Sequence, residues 1–406
     1  MDLRTSSSLW IARDGPGRAF APLAANLECD VAVIGAGLAG AMAAHELAGA
    51  GLSCVVLDAR QPGLGSTAAS TALLLCELDV PLHELAERMG AERAGRCYRM
   101  GLEAIDAIDR LTAGLASRCG FARRSSLLLA SCGDDVEGLK RELTARREVG
   151  LGVEFLARGD LERTYSFSAP AALRSAGAQV DGYRLALEVL GAAAARGVHV
   201  FGQTRATRIS RRGKEMVIAT ETGASVRAKR VVLAAGYEAL SLRRAPGQLV
   251  STFAAATEPI ERFEGWPDRC MIWETARPYL YIRTTEDGRA IIGGGDETET
   301  DPDRRDRLVT GKCVELMRRF GAMFPAIAAR PETAWAGFFI ETEDGLPYVG
   351  EDPRTPGLYL ALCYGANGTT FAAVAARVLR ELVVEGGSAD AELLAIDRAS
   401  TRKRAL

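Results

Sequence analysis

The chain has 406 residues, of which 48% are hydrophobic and 25% charged, and its formal net charge is -2. This is the composition of a soluble globular protein of two or three domains, without the basic character of a nucleic-acid-binding protein and without an apolar run of 18 residues that could span a membrane. The nine cysteines lack CxxC spacing and the three histidines are dispersed, so we expect no metal site and a cytoplasmic location.

The first 28 residues are predicted to form a loose arm. A short apolar strand follows and ends at the glycine-rich turn 35–40, which opens a helix. In this GxGxxG pattern the first glycine permits the tight turn, the second lets the backbone approach a pyrophosphate, and the third lets the helix pack on the strand. A second strand over 53–57 ends in Asp58, whose carboxylate can accept ribose hydroxyls. These features predict a dinucleotide site.

Beyond this unit, periodicity predicts helices, strands and one polar loop. The segment 63–75 is small and hydroxyl-rich and is expected to become helical. Helices are expected over 81–118, 136–150, 181–196 and 303–320, and strands over 198–201, 205–228 (as a hairpin) and 230–236. The last of these strands ends in small residues, which suits a strand that closes beside a bound cofactor.

Asp287-Gly288 is predicted to be the two-residue turn of a hairpin, because the strand before it alternates with period two. In this register Tyr279, Tyr281 and Arg283 share one face of the sheet. An aromatic face that also carries an arginine is a candidate substrate platform, and the alternative is the solvated edge of an antiparallel sheet.

A second strand, glycine loop and helix follow near the C-terminus, over 358–362, 363–370 and 371–384. The helix N-terminus is suited to hold an electron-rich group. The tail from 386 to 406 is polar and is expected to be loose. An NAD dehydrogenase would normally confine its cofactor to one contiguous domain, so cofactor-site elements at both ends of the chain fit a flavin enzyme better.

At these positions the chain resembles the D-amino-acid oxidase superfamily of flavoproteins, the group with glycine oxidase, sarcosine oxidase and γ-glutamylputrescine oxidase. The motifs that carry the resemblance are VIGAGLAG (33–40), GSTAAST (65–71), VLAAG (232–236), DGLPYVG (344–350) and YGANG (364–368). The resemblance implies an α/β fold, α+β overall, with a discontinuous Rossmann-like FAD-binding domain and an inserted antiparallel substrate sheet flanked by helices. The implied FAD-binding segments are 29–80, 175–245 and 335–385, and the substrate segments are 81–174 and 246–334.

The resemblance also implies which residues bind FAD. The GxGxxG glycines would hold the pyrophosphate, Asp58 the adenosine ribose, and the Ala206 backbone the adenine, while the C-terminal glycine loop would line the flavin. The full implied set is Gly35, Ala36, Gly37, Leu38, Ala39, Gly40, Asp58, Ala59, Arg60, Gly65, Ser66, Thr67, Ser70, Thr71, Ala206, Ala234, Ala235, Gly236, Gly337, Asp344, Gly345, Gly365, Ala366, Asn367, Gly368 and Thr369.

The chain departs from the pattern of the family in three ways. Phe339 stands where glycine oxidase-like enzymes have an arginine that grips the substrate carboxylate. Ile291 and Ile292 stand where sarcosine oxidase-like enzymes have an oxygen-activating lysine, and Gly337 stands where those enzymes tether the flavin through a cysteine. We therefore expect non-covalent FAD, and a simple α-amino acid bound in the usual way is less favoured.

The leading functional hypothesis is oxidation of an amine C–N bond by hydride transfer from the α-carbon to flavin N5, followed by hydrolysis of the imine. The substrate would be a small amine or amino acid, and oxygen or another acceptor would take the electrons. Tyr279, Tyr281 and Trp335 are expected to form an apolar, π-rich cage, Arg283 to pair with a remote carboxylate, and Tyr364 to hydrogen-bond a carbonyl of the substrate or the flavin.

Two alternatives stay open at this point. One is a dehydrogenase of an amino acid or hydroxy acid that passes its electrons to a quinone or a carrier protein. The other is a flavin-binding subunit with little chemistry of its own.

Overall fold

The computed structural model describes residues 2–5, 7–243 and 245–398. The strands are β1 Leu27–Ile34, β2 Cys54–Leu57, β3 Leu73–Leu74, β4 Ala122–Leu129, β5 Val153–Ala157, β6 Ala171–Gln179, β7 His199–Phe201, β8 Ala206–Arg212, β9 Glu215–Thr220, β10 Ser225–Leu233, β11 Gln248–Thr257, β12 Met271–Glu274, β13 Leu280–Thr284, β14 Ala290–Glu297, β15 Pro331–Glu341, β16 Tyr348–Glu351 and β17 Leu358–Leu362. The helices are α1 Leu9–Asp14, α2 Leu38–Gly49, α3 Leu82–Met89, α4 Ala91–Ala113, α5 Asp135–Glu148, α6 Arg158–Thr164, α7 Gly182–Ala195, α8 Pro302–Met323, α9 Gly368–Arg380 and α10 Ala391–Leu394.

The first sheet has the strand order β16-β17-β10-β1-β2-β7, and the β8–β9 hairpin extends it from β10. The central strands are parallel, with Val33 of β1 opposite Val232 of β10 on one side and Val56 of β2 on the other. Their side chains are fully buried because helices cover the sheet, as a parallel sheet requires. The carboxyl ends of β1, β2 and β10 therefore meet at one edge, where α/β sheets bind ligands.

The second sheet has the order β15-β11-β14-β13-β12-β4-β6-β3, with β5 paired to β6. Most of its pairs are antiparallel, and β12 runs parallel to β4. Leu280 and Ile282 of β13 face the core of this sheet, as the alternation predicts. Tyr281 lies opposite Gly293, where a Cβ atom would come within 2.2 Å of the tyrosine ring. The expected α/β class, a Rossmann-like unit combined with an antiparallel sheet, is confirmed.

The sheets also bear on the predicted division into two domains, which stays a prediction. β3, most of β6 and β15 pair within the second sheet, although the boundaries drawn from the sequence assign their residues mainly to the FAD-binding segments. Because strands from those segments belong to the second sheet, the predicted FAD-binding and substrate parts are joined through that sheet. Among the described residues, no helix combines the length and the apolar composition needed to cross a bilayer.

Four local expectations were wrong. The β13–β14 hairpin does not have the two-residue turn Asp287-Gly288, since Thr285 N donates to the Arg289 carbonyl and the loop between them is one residue longer. The N-terminal arm is not loose, since it contains α1 with a fully buried Trp10, and residues near its start pair with β15. The described part of the tail, 386–398, contains α10, and its Leu394 is buried. The hydroxyl-rich segment forms a single 3-10 turn, Ser66–Ala69, and then the short strand β3, so it does not become a helix.

Candidate active site

A continuous cavity extends from the carboxyl ends of β1, β2 and β10 to the face of the second sheet. Most of the residues that the sequence assigned to the site line it. They are Gly35, Gly37, Leu38, Ala39, Asp58, Ala59, Arg60, Gly65, Ser66, Thr67, Ser70, Thr71, Ala206, Ala234, Ala235, Gly236, Tyr279, Tyr281, Gly337, Gly365, Ala366, Asn367, Gly368 and Thr369. The fold thus brings together at one cavity segments that lie far apart along the chain.

The GxGxxG turn begins the cavity at the N-terminus of α2. Gly35 has a positive φ of 106°, and a Cβ on it would lie 2.4 Å from the Ala234 carbonyl oxygen. A Cβ on Gly40 would lie 1.9 Å from the Gly35 carbonyl oxygen. Since Gly37, the residue before α2, carries no side chain, an anion can come close to the backbone at the start of the helix. Gly40 itself supports the turn from outside the cavity.

Asp58 supports this turn as well as facing the cavity. Its Oδ2 accepts the backbone N–H of Ala36 at 2.7 Å, and its Oδ1 accepts that of Arg60 at 2.8 Å. Burial raises the pKa of this carboxyl, and the two backbone hydrogen bonds partly oppose the rise. Each oxygen keeps a lone pair for a ribose hydroxyl. The role of Asp58 in holding the turn could not be read from the sequence.

The loop after β2 and the start of α9 close the other side of the cavity. Thr67 Oγ1 accepts the backbone N–H of Leu38 at 3.0 Å, and Ser70 Oγ lies 3.3 Å from Thr369 Oγ1. Within the described part of the chain, the buried hydroxyl of Ser66 has no hydrogen-bond partner. Ser66 lines the cavity beside Thr67, so its hydroxyl is a candidate donor to a phosphate.

These features fit an extended dinucleotide. The turn at α2, Ser66 and Thr67 would hold its pyrophosphate, Asp58 its ribose, and the N-terminus of α9 would face the polar edge of its flavin. The fit rests on glycines of the GxGxxG motif whose Cβ atoms would clash with neighbouring backbone atoms and on the Ser66 hydroxyl, which lies outside that motif and lacks a partner within the described residues.

The far end of the cavity is aromatic. Tyr279 and Tyr281 have ring centroids 5.9 Å apart, Trp273 pairs with Tyr281 on the neighbouring strand, and Phe339 also lines the cavity. Arg277 is exposed at the rim, with its guanidinium 4.7 Å from the Tyr279 ring centroid. Neither Trp273 nor Arg277 was predicted to have a role from the sequence. Trp273 lies on β12 opposite Tyr281, and Arg277 lies two residues before Tyr279.

The rim also carries acidic side chains. Burial raises the pKa of Asp79, Asp296 and Glu341, and that of Asp296 reaches about 6. Asp79 also raises the pKa values of Asp296 and Glu341, and Glu341 raises that of Asp296, while Arg277 lowers the pKa of all three. Arg277 Nη2 also donates to the backbone carbonyl of Asp79 at 3.3 Å. The rim is therefore a mixed-charge site, which suits a substrate that carries charges of both signs.

The expected substrate contact of Arg283 was wrong. Its side chain is 2% exposed and lies behind the cavity wall, where Nη1 donates to the carbonyls of Ala72 at 3.0 Å and Val180 at 2.8 Å. Burial lowers its pKa to about 9. The alternation placed it correctly on the face of Tyr279 and Tyr281, but that face continues beyond the cavity.

Other expected site residues also lie behind the wall. Trp335 is buried and donates to the Ala69 carbonyl at 2.9 Å, so it belongs to no cage around a substrate. Tyr364 is buried beside Tyr237 and Tyr348 and donates to the Gly236 carbonyl at 3.3 Å. In each case the polar atom is already satisfied by a backbone carbonyl.

Three other residues that the sequence assigned to the site do not line the cavity: Ala36, Asp344 and Gly345. Ala36 belongs to the first glycine turn, where its backbone N–H donates to Asp58. Gly345 packs against the second glycine turn, since a Cβ on Gly365 would lie 2.9 Å from the Gly345 carbonyl oxygen. Asp344 is buried in an ion pair with Arg398 at 2.7 Å. Asp344 was expected to contact the flavin, but its carboxylate binds Arg398 and does not line the cavity.

Comparison with known proteins agrees with this geometry. The family model described as FAD dependent oxidoreductase (DAO) matches residues 30–382. Glycine oxidase of Geobacillus kaustophilus (strain HTA426) is 26% identical over 366 residues, covering 87% of this chain and 92% of that protein. Gamma-glutamylputrescine oxidoreductase of Escherichia coli (strain K12) is 25% identical over 392 residues, covering 93% of this chain and 89% of that protein.

A solved structure shares the fold. The crystal structure of glycine oxidase from Geobacillus kaustophilus superposes with a TM-score of 0.79 at 22% identity, covering 92% of this chain and 99% of that one. The family match spans both sheets and both glycine turns, and FAD is the cofactor that this family binds. The chain belongs to the DAO family of FAD-dependent oxidoreductases.

Proposed function

We propose that this protein oxidises the C–N bond of a small amine or N-substituted amino acid. When bound, FAD supplies the acceptor, at its N5 atom, for a hydride from the substrate carbon next to nitrogen, and water hydrolyses the resulting imine. The observation that carries the proposal is the aromatic end of the cavity, where Tyr279, Tyr281 and Trp273 can enclose an uncharged amine. The relatives named glycine oxidase and gamma-glutamylputrescine oxidoreductase fit this reaction class.

The aromatic residues would act by orientation and by exclusion of water. Burial raises the pKa of Tyr281 to about 12 and moves that of Tyr279 in the same direction. Both hydroxyls therefore stay protonated near neutral pH and can donate hydrogen bonds. Hydride transfer from a neutral amine does not require a side chain that gains and loses protons, which agrees with an aromatic, histidine-free lining in the described residues.

Arg277 would take the role that the sequence analysis gave to Arg283. It stands at the rim of the aromatic end, stacks on Tyr279 and is exposed, so a substrate carboxylate can reach its guanidinium. Phe339 occupies the apolar wall nearby. This arrangement favours a substrate whose carboxylate lies away from the reacting carbon rather than beside it.

FAD would be held without a covalent bond, because Gly337 offers no side chain at the position of the family's tethering cysteine. A second candidate function is a dehydrogenase that passes its electrons to a quinone or a carrier protein. It is favoured by Ile291 and Ile292, which are buried and apolar on β14 where an oxygen-activating lysine would be expected.

Steady-state turnover with amines that differ in a remote carboxylate tests the proposal. Arg277→Leu is expected to raise KM for the carboxylated amine at least tenfold, with a much smaller effect on its uncharged analogue. Arg18→Leu is the matched control, since Arg18 is also exposed and stacked on an aromatic ring, Phe20, at 5.5 Å. Equal KM values for the wild type and Arg277→Leu would remove Arg277 from the substrate site. Turnover with an artificial acceptor but not with oxygen would favour the dehydrogenase.

A further inference from the structure

The hydroxyl-bearing residues of the loop 65–73 line the cavity, and three of its backbone carbonyls, those of Ala69, Ser70 and Ala72, accept hydrogen bonds from buried side chains. The three side chains donate N–H hydrogen bonds to these carbonyls. Trp335 Nε1 donates to the Ala69 carbonyl at 2.9 Å, Trp10 Nε1 to the Ser70 carbonyl at 2.7 Å, and Arg283 Nη1 to the Ala72 carbonyl at 3.0 Å.

These donors come from three distant segments that meet behind the cavity wall. Trp335 lies on β15, Arg283 on β13 and Trp10 on α1, and all three are at most 2% exposed. The Arg283 guanidinium lies 5.4 Å from the Trp10 ring centroid. Within the described residues, Arg283 Nε has no hydrogen-bond partner, so this buried cation depends on two carbonyls and an aromatic face.

The backbone of the loop shows why it needs such support. Ala72 has a φ of 53°, a left-handed conformation that a non-glycine residue adopts at a cost. Strained residues persist where their surroundings over-determine them, and they cluster at functional sites. Here the Ala72 carbonyl accepts both Arg283 Nη1 and, at 3.4 Å, the backbone N–H of Val180.

The N-terminal arm is held in place independently of this loop. Thr5 N donates to the Ala336 carbonyl at 3.1 Å, and Phe338 N donates to the Leu3 carbonyl at 3.1 Å, so the arm adds to the edge of β15. Arg13 of α1 forms an ion pair with Asp181. Leu3 itself lines the cavity. The arm lies outside the segment that matches the family model, 30–382.

We propose that Trp10 and Arg283 are positioning residues for FAD. Together with Trp335 they fix the loop 65–73 so that Ser66, Thr67 and Ser70 face the cofactor, which makes the N-terminal arm part of the FAD site. Preorganised donors bind more tightly because the ordering cost is met on folding. Loss of a donor leaves a buried carbonyl unsatisfied and releases the loop.

The test is the FAD affinity of the apoprotein, measured by quenching of flavin fluorescence. Trp10→Phe keeps an aromatic ring but removes the N–H, and it is expected to weaken FAD binding at least tenfold. Trp266→Phe is the matched control, because Trp266 is also fully buried and donates to a carbonyl, that of Cys270 at 3.1 Å, but lies in the core of the second sheet. This control is expected to lower stability without changing FAD affinity.

Two further variants keep the proposal testable if Trp10→Phe folds poorly. Arg13→Ala removes the ion pair of α1 with Asp181 and the contact of Arg13 with the Trp10 ring, but it keeps the three N–H donors to the loop, and it is expected to weaken FAD binding at least threefold. Arg283→Met is expected to act like Trp10→Phe and to change the visible circular dichroism of the bound flavin. FAD affinity within twofold of the wild type in a folded Trp10→Phe or Arg13→Ala protein would overturn the proposal. So would equal losses of affinity in Trp10→Phe and Trp266→Phe.

Discussion

Gly40 offers the most direct test of the glycine turn, because the substitution Gly40→Ala should favour the helix and harm the site. In an isolated helix alanine is better than glycine by about 1 kcal/mol. Here its Cβ would lie 1.9 Å from the Gly35 carbonyl oxygen and 3.3 Å from Val33 Cγ1. The helix and the turn would have to separate by about 1 Å to relieve this overlap, a distance that close-packed interiors do not absorb freely.

Overpacking of this kind typically costs about 1–3 kcal/mol, so Gly40→Ala is expected to destabilise the apoprotein despite the better helix former. The same separation moves the first amides of α2 away from the pyrophosphate. Hydrogen bonds to a charged group contribute about 1.5–3 kcal/mol, and about 1.4 kcal/mol is a factor of ten in Kd. We therefore expect FAD to bind about ten- to a hundredfold more weakly.

The assay is urea unfolding of the apoprotein together with a flavin fluorescence titration. Gly191→Ala in α7 is the matched control, since a Cβ there would meet open space. That variant is expected to gain about 0.5–1 kcal/mol and to bind FAD like the wild type. A folded Gly40→Ala protein that binds FAD as tightly as the wild type would refute the account of the turn.

Two other predictions concern buried charge. Burial raises the pKa of Asp296 from 3.8 to about 6, so its ionised form disfavours folding, and this cost appears as pH rises through that window. Asp296→Asn should therefore stabilise the protein at pH 8 by up to about 3 kcal/mol and by almost nothing below pH 4, as thermal unfolding at both pH values would reveal; equal gains at both would contradict it. Arg398→Met leaves Asp344 as a buried charge without this ion-pair partner and should cost about 3–5 kcal/mol in urea unfolding, while adding Asp344→Leu should recover part of the loss. Failure of the second substitution to restore any stability would argue against the pair.

The cofactor half of the site could be predicted because its signals are local. The turn 35–40, Asp58 at the end of β2, and the loop before α9 each follow a strand directly, and parallel strands bring such ends to one edge. Glycine also leaves a strong signal in sequence, because few other residues can occupy a turn with positive φ. The turn of the β13–β14 hairpin does contain Gly288 with a positive φ of 79°, but its register was not predicted, since Thr284 pairs with Ala290 rather than with Ile291.

The substrate half could not be predicted to the same depth, because it depends on what covers each surface. Alternation assigned Arg283 to the correct face, yet it carries no information that α1 covers the end of that face with Trp10. The arm and the tail lack apolar periodicity, so their burial of Trp10 and Leu394 comes from contacts far apart in sequence. Trp335 points to the loop rather than the cavity, a choice that only tertiary packing makes.

The central claim is that an amine reduces FAD held in this cavity. The most direct measurement is the visible spectrum of the purified holoprotein, followed without oxygen while amines, N-substituted amino acids, γ-glutamyl amines and D-amino acids are added. We expect an oxidised flavin spectrum that bleaches with one of these classes, most readily with a substrate that has a remote carboxylate. A bound flavin that none of the classes reduces would contradict it and favour a flavin-binding protein without catalytic activity of its own.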